Sequence, residues 1–450
     1  MEDIIEISEK KKKTKISGTG KGFSIRIYPD KKQIEYIRDS FRVNNFIYNY
    51  FLSKQEKIVS ELKEMGLEGK ALKSHMKLNN LYFDYNSSRD LLYEMKKTPE
   101  YSFLGNASAL SYHYALMRLK NAFDNMWKMN TGFPNYRKRH INKSFSGQIL
   151  FNTKADKYSP FEIQTINDKW CEITLTKITE LKCVVHNNEL LDFWNDRSYM
   201  HLKSYTITET PSGEFYLAIT ADIISKPMLE KRIVNEETSI GIDMGVARPI
   251  TTSDEELFND KQLSDKFNLI KEYKSEVERL SQILAKKREG NKNWKESKKY
   301  ERIKKRLAKL HSKIANIRKY LQHNITSKLI NSKYDTIIIE DLDVKNMMKK
   351  SAKGKSNNKR GLNRVLSDTG LGEIKRQLVY KSNWCGKNIV TVDPKYTSQM
   401  CSNCGHTHRD NRKKQDEFIC VSCGHNENAD LNAAKNIKNK FFKKLAELKN

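Results

Sequence analysis

Two Cys-x-x-Cys knuckles near the C-terminus, Cys401–Cys404 and Cys420–Cys423, are separated by fifteen residues. Four thiolates at this spacing read as a zinc ribbon, in which a tetrahedral metal staples a loop. CxxC pairs can also be redox-active, but the ribbon spacing favours structural zinc. His406, His408 and His425 flank the knuckles. Four sulfurs already complete the tetrahedron, so none of the three is expected to be a ligand. The second knuckle runs on into Asn426-Glu-Asn-Ala-Asp430, which places Asp430 seven residues past Cys423. An isolated acid at the mouth of a helix, beside a metal staple, suggests that the zinc is scaffolding and a second, catalytic site lies nearby.

The chain has 450 residues, enough for two to four modules. Its 83 Lys+Arg against 55 Asp+Glu give a formal net charge of +28. Such an excess calls for a polyanionic partner, with nucleic acid the first candidate. An anionic membrane surface fits less well, because the basic residues are spread along the whole chain. No run of 18 apolar residues exists to span a membrane. The N-terminus, MEDIIEISEKKKK, carries charge where a signal peptide needs a long apolar stretch. Cys171, Cys183 and Cys385 are scattered and read as plain reduced thiols, which fits a reducing, cytoplasmic setting.

Residues 1–21 are Lys/Gly-rich and read as a flexible basic tail. Residues 22–28 alternate like a strand that Pro29 ends. From Lys31 the spacing becomes helical, with further helical stretches over 54–64 and 106–128. An all-helical module is therefore expected, its aromatic stripes serving as core. Residues 143–225 break into short β-type runs, which suggest a small antiparallel barrel or sandwich. The strand at 22–28 has no neighbour in sequence and is expected to join that sheet across the helical insertion. Beyond 236, buried strands at TSIGID, DTIIIE and NIVTVD alternate with helices, an α/β order. Residues 262–288 and 293–332 read as a helical hairpin. In the second, Ile303, Leu307, Leu310, Ile314, Ile317 and Leu321 form a heptad seam, and Lys304, Lys305, Lys309 and Lys313 lie on a basic outer face.

Asp243 ends TSIGID, Glu340 ends DTIIIE, and Asp430 opens the final helix. Acids at the ends of apolar strands can be aimed at one point above a sheet. Phosphodiester hydrolysis uses such a cluster, since hard carboxylate oxygens suit a pair of Mg²⁺ ions that clamp the attacking and leaving oxygens. Asp341, Asp343 and Asp393 compete for the same role, and a helix cap or a surface turn is the bland explanation for each acid.

The segments GIDMGVARPITTSD, TIIIEDLDVKNM, LSDTGLGEIKRQLVYKSNWCGKNIVTVDPKYTSQMCSNCG and DNRKKQDEFICVSCGHNENADLNAAKNI together resemble the TnpB family. These are transposon-encoded, RNA-guided nucleases with a RuvC-type, RNase H-like domain, related to miniature type V CRISPR effectors. FSIRIYPDKKQIEYI and TGFPNYRKR extend the likeness over most of residues 22–440. The resemblance implies a multidomain α+β chain. Residues 22–30 would supply the first strand of an antiparallel β-barrel (wedge), 31–140 an inserted helical recognition module, and 141–235 the rest of the barrel. Residues 236–397 and 426–450 would form the RuvC-like nuclease, with the zinc ribbon at 398–425. The catalytic acids would be Asp243, Glu340 and Asp430, holding Mg²⁺, with Arg412 as a phosphate or transition-state contact. Cys401, Cys404, Cys420 and Cys423 would hold Zn²⁺. The implied partners are a guide RNA and target double-stranded DNA, with sequence read by pairing beside a short flanking motif. The basic segment from Lys345 to Arg360 is a candidate lid over the acids. A non-cleaving, RNA-guided repressor or transposition accessory is the alternative.

Overall fold

A computed structural model of the chain describes residues 20–129, 131–149, 161–167, 170–185, 200–223, 232–245, 250–254, 261–289, 297–348, 363, 366 and 369–448. They fall into two compact units, one within residues 19–226 and the other from residue 227 onward.

The first unit joins a sheet to a helical module. Strand β1 (Gly20–Ile27) buries Phe23, Ile25 and Ile27 by strict alternation. Helix α1 (Lys31–Glu64) follows at once. Asp30 starts it with a capping box, accepting from the Gln33 amide at 2.8 Å while Gln33 Oε1 accepts from the Asp30 amide at 2.9 Å. The sequence suggested separate helical stretches before and after residue 53, but α1 runs through. Neither Gly nor Pro interrupts it, and its buried face continues from Ile37 to Leu62. Ile37 and Phe41 enter the core of the sheet. Val43, Ile47 and Phe51 enter the helical core, and Val59 and Leu62 a third cluster. Helices α2 (Gly69–Leu78), α3 (Tyr85–Met95) and α4 (Ala109–Met129) complete the module, with a 3₁₀ segment over Pro99–Asn106. Half-buried Phe46, Tyr50 and Tyr101 pack on one another there, with the more exposed Phe103 at their edge.

The later strands are β2 (Ser144–Gln148), β3 (Glu162–Thr165), β4 (Cys171–Leu175), β5 (Ile178–Val184), β6 (Met200–Glu209) and β7 (Phe215–Ile223). With β1 they form a seven-stranded antiparallel sheet ordered β2-β6-β7-β1-β5-β4-β3. β1 pairs with β7 and β5, so the sheet is completed across the helical insertion. Among the described residues β2 and β3 are its edges. Cys171 and Cys183 face each other across β4 and β5 as buried free thiols.

In the second unit β8 (Ser239–Asp243), β10 (Thr336–Glu340) and β11 (Asn388–Val392) run parallel in the order β11-β10-β8, and β9 (Thr251–Thr252) adds antiparallel to β8. The expected strand ARPITTS is thus only two residues long here, and its residues 247–249 lie outside the described ones. Helices α5 (Lys261–Glu289) and α6 (Lys298–Ile330) pack on each other as a hairpin. Leu310, Ile314 and Leu321 of the heptad seam are buried, while Lys304, Lys305, Lys309 and Lys313 are exposed. A four-residue helix, α7 (Val344–Met347), follows β10, and residues 349–360 of the candidate lid lie outside the described residues.

The sheet is covered on both faces, so its strands are apolar throughout. Ile240, Ile242, Ile337 and Ile339 meet Ile325 and Leu329 of α6 and Ile374 and Leu378 of α8 (Leu371–Cys385). Ile338 and Val392 point the other way, onto Ile437 and Phe441 of the final helix, α9 (Ala429–Glu447). Gly241 pairs in register with Ile338 and therefore shares that second face. A Cβ built on Gly241 would lie 2.2 Å from the Ala434 carbonyl oxygen and 2.9 Å from the Lys438 amide of α9. Helix backbone rests on strand backbone at this point. Gly241→Ala is expected to lever α9 off the sheet and to cost about 1–3 kcal/mol, read as a lowered Tm in a thermal melt.

Candidate active site

Strand parity decides which acids can meet. Asp243 shares its face of β8 with Gly241, and Glu340 shares its face of β10 with Ile338. Both therefore point to the side covered by α9. Ala434 of α9 sits over Gly241, and Asp430 lies one helical turn before Ala434. A turn rises about 5.4 Å and two strand residues about 6.6 Å, so the step from Gly241 to Asp243 matches the step from Ala434 to Asp430. The three acids thus converge at the ends of β8 and β10. Asp341 has the opposite parity to Glu340; it is exposed and pairs with Lys375 at 2.9 Å. Asp343 caps α7 through the Asn346 amide at 3.1 Å. Asp393 lies just past the end of β11, is exposed, and accepts from the Lys395 amide at 3.0 Å. For these three the cap and surface-turn explanations hold.

The convergence has an electrostatic signature. Burial, then the charges of Glu340 and Asp430, push the Asp243 carboxyl up from 3.8 to about 7, against a smaller opposing effect of Arg412. Burial also raises Glu340, while a hydrogen bond from Thr397 and the charge of Lys440 pull the other way. Thr397 Oγ1 donates to Glu340 Oε1 at 2.5 Å and fixes that side chain. Arg412 Nη2 donates to Asp430 Oδ1 at 3.0 Å and to the Gln415 carbonyl at 2.6 Å. The ion pair is mostly buried, with 22% and 18% side-chain exposure, so Arg412 is not a free ribbon surface residue.

The four cysteines also come together. Their sulfurs all lie within 4.8 Å of one another, close enough to share a metal ion. Cys401 and Cys423 sulfurs are 3.7 Å apart, and those of Cys404 and Cys420 3.6 Å. The two knuckles repeat one design. Gly405 and Gly424, at φ 74° and 70°, each donate to the carbonyl of the first cysteine of their knuckle at 2.9 Å. Each first cysteine amide donates in turn to a histidine carbonyl, His406 or His425, at 3.0 and 2.9 Å. These histidines thus contribute backbone to the knuckles, and their rings lie outside the sulfur cluster. A short hairpin, β12 (Glu417–Ile419) and β13 (Asn426–Asn428), carries buried Phe418 against Cys401, Cys420 and Ala429.

Sequence reading missed the residues that tie cluster to acids. Asn432 and Asn436 are fully buried on α9, one turn apart. Asn432 Nδ2 donates to the Met400 carbonyl at 2.8 Å and its Oδ1 accepts from the Ser402 amide at 2.9 Å. Asn436 Nδ2 donates to the carbonyls of Thr397 and Met400 at 2.9 and 2.6 Å. Buried Asn411 bridges the knuckles, donating to the Gln399 and His406 carbonyls and accepting from the Val421 amide at 3.0 Å. The available signal was two asparagines at i, i+4 on an otherwise Ala/Leu/Ile face.

The raised Asp243 has a thermodynamic consequence. Between the unfolded value, 3.8, and about 7, the folded protein holds a proton that the unfolded chain has released. That stabilisation is full in acid and is lost as pH rises through about 7. Metal-free protein is therefore expected to melt lower at about pH 8 than at about pH 5, and Asp243→Asn to flatten the dependence. Calorimetry of both proteins across this range checks it.

Three family models match the chain. One described as "Probable transposase" (OrfB_IS605) covers residues 221–351, which include Asp243 and Glu340. One described as "Cas12f1-like, TNB domain" covers residues 372–437, which include Arg412, Asp430 and all four clustered cysteines. A third, "Helix-turn-helix domain", covers residues 19–63, where this chain folds as β1 and the unbroken α1. Among curated proteins, "Putative RNA-guided DNA endonuclease InsQ" of Escherichia coli (strain K12) is 29% identical over 423 residues, 92% of this chain and 90% of that protein. "CRISPR-associated endodeoxyribonuclease Cas12f1" of Sulfoacidibacillus thermotolerans is 29% identical over 246 residues, 53% of each chain. "TnpB-like protein L79" of Acanthamoeba polyphaga mimivirus is 26% identical over 236 residues, 52% of this chain and 42% of that protein. Matches of this order, spread over both units and over every segment of the acidic centre, carry one conclusion: over most of its length the chain is similar to TnpB-type proteins and to Cas12f1.

Proposed function

We propose that this chain is an RNA-guided DNA endonuclease that hydrolyses phosphodiester bonds at Asp243, Glu340 and Asp430. The observation that carries the reading is the convergence of three carboxylates, far apart in sequence, on one face of a sheet, with Asp243 pushed up to about 7 by burial and by its neighbours. Acids that repel one another in a half-buried site are a poor choice for stability and a good one for cations. The donor set is all oxygen, which fits Mg²⁺. When bound, such ions would polarise the scissile phosphate and lower the pKa of an attacking water.

The chain's own residues do the positioning. Thr397 holds Glu340, the contact of α9 with Gly241 holds Asp430 beside Asp243, and Arg412 stands next to Asp430 as a contact for the phosphate. We read the second unit as a RuvC-like, RNase H-like domain and the seven-stranded sheet as a barrel-type wedge. The sulfur cluster fits Zn²⁺, whose bonds of about 2.3 Å would set tetrahedral sulfurs about 3.8 Å apart. Cys401, Cys404, Cys420 and Cys423 would hold it, as a staple for the segment that carries Thr397 and Arg412. A guide RNA would select the target by pairing next to a short flanking motif, with double-stranded DNA as the substrate. The charge of +28, including the exposed lysines of α6, suits a chain that must hold both polyanions by their phosphates. Among the described residues no helix is long and apolar enough to cross a membrane.

Asp243→Ala, Glu340→Ala and Asp430→Ala are each expected to reduce Mg²⁺-dependent target cleavage by about a thousandfold while leaving RNA binding intact. Gel assays with the co-purifying RNA check both halves. Wild-type protein that binds its target with that RNA and never cuts would make the chain a repressor instead. Stripping the cysteines with a strong chelator is expected to release one Zn²⁺ per chain and to lower Tm, as followed by metal analysis and melting.

A further inference from the structure

The helical module contains a second charged site that the acidic centre does not use. A cleft of about 440 Å³ is lined by Tyr48, Arg118, Arg137 and Lys138, with no carboxylate among its lining residues. Arg118 and Arg137 are half-buried, and among the described residues neither makes an ion pair. Their hydrogen bonds go to neutral groups. Arg118 Nη2 donates to Ser146 Oγ at 3.3 Å, and Arg137 Nε donates to Asn45 Oδ1 at 2.6 Å. The Arg137 guanidinium lies over the Tyr48 ring, 5.7 Å from its centre. Burial and the charge of Arg118 pull Arg137 down to about 10, so the two cations are close enough to repel.

The cleft is built, not incidental. Asn49 grips the Arg137 backbone from both sides, accepting from its amide at 2.8 Å and donating to its carbonyl at 3.0 Å. Asn142 Oδ1 accepts from the Lys138 amide at 2.7 Å, and Asn45 Nδ2 donates to the Asn142 carbonyl at 2.8 Å. Asn45 and Asn49 stand one turn apart on α1. The framework thus fixes two mutually repelling guanidiniums that have no counterion among the described residues, at a cost that an arriving anion would offset. A planar guanidinium pair matches the oxygens of a phosphodiester.

We infer that the cleft between Arg118 and Arg137 is a seat for one backbone phosphate of bound nucleic acid, a contact that sets position without reading sequence. This rests on the proposed RNA-guided function and adds a specific contact to it. The site holds a phosphodiester whether the strand is guide RNA or target DNA.

The test uses the full chain with Arg118→Gln, Arg137→Gln and the double variant. Binding is measured over a salt series in two arms: the co-purifying RNA to the chain alone, and target duplex DNA to the RNA-loaded chain. Each single variant is expected to weaken one arm about tenfold or more and to lower its salt slope by about 1, equally for unrelated sequences. Loss in the first arm assigns the phosphate to RNA; loss in the second alone assigns it to DNA. Without nucleic acid, Tm is expected to stay level or rise, because a repulsion has been removed. Should a glutamine variant melt lower, Arg118→Lys and Arg137→Lys decide, since they keep the charge and are expected to keep the slope. Unchanged affinity and slope in both arms, with wild-type RNA-guided cleavage intact, overturns the phosphate seat and leaves the nuclease reading standing. A wild-type chain that binds neither nucleic acid overturns both.

Discussion

Carboxylates brought together in a half-buried place push one another apart, and most of the second unit can be understood as what resists that push. The resistance starts where α9 lies directly on β8. Because Gly241 has no side chain, helix and strand backbones meet, and Asp430 is carried to the level of Asp243. Thr397 then restrains Glu340, and Arg412 offsets part of the charge at Asp430. None of these contacts is large alone. Together they hold an arrangement whose electrostatics favour coming apart.

The sulfur cluster serves the same end from outside. The segment from Thr397 to Ser402, which includes Cys401, is bound to α9 by Asn432 and Asn436. Asn411 fastens one knuckle to the other. Scaffold and acids are therefore joined by amide side chains that satisfy backbone groups in a dry interior, where an unpaired donor would cost about 1–3 kcal/mol.

Much of this was legible in the residues. The strands TSIGID and DTIIIE are apolar on both faces and end in acids, so their place in a covered parallel sheet and their aim were readable. Asp341, Asp343 and Asp393 could not be told from Glu340 by neighbourhood alone. What separates them is parity and capping, which become definite only when strand ends are fixed. The continuity of α1 was missed because its apolar stripe changes partners twice, and each change looks like a break in period. Gly241 carried no mark in sequence beyond being glycine. Its meaning lies in which helix arrives over it, a long-range fact. The asparagines of α9 were hidden for a related reason, since a polar residue on an apolar face is explained only by the chain segment it serves.

That one helix passes through three separate cores has its own outcome. At about 1.5 Å per residue, the 34 residues of α1 make a rod of about 50 Å with no joint along it. Its first turns are set in the sheet and its last in the small cluster around Val59 and Leu62. Asn45 and Asn49 grip the arginine cleft near its middle. A stiff beam of this kind allows its attachments to tilt in unison but not to slide past each other, so a load at any of them is felt along its whole length.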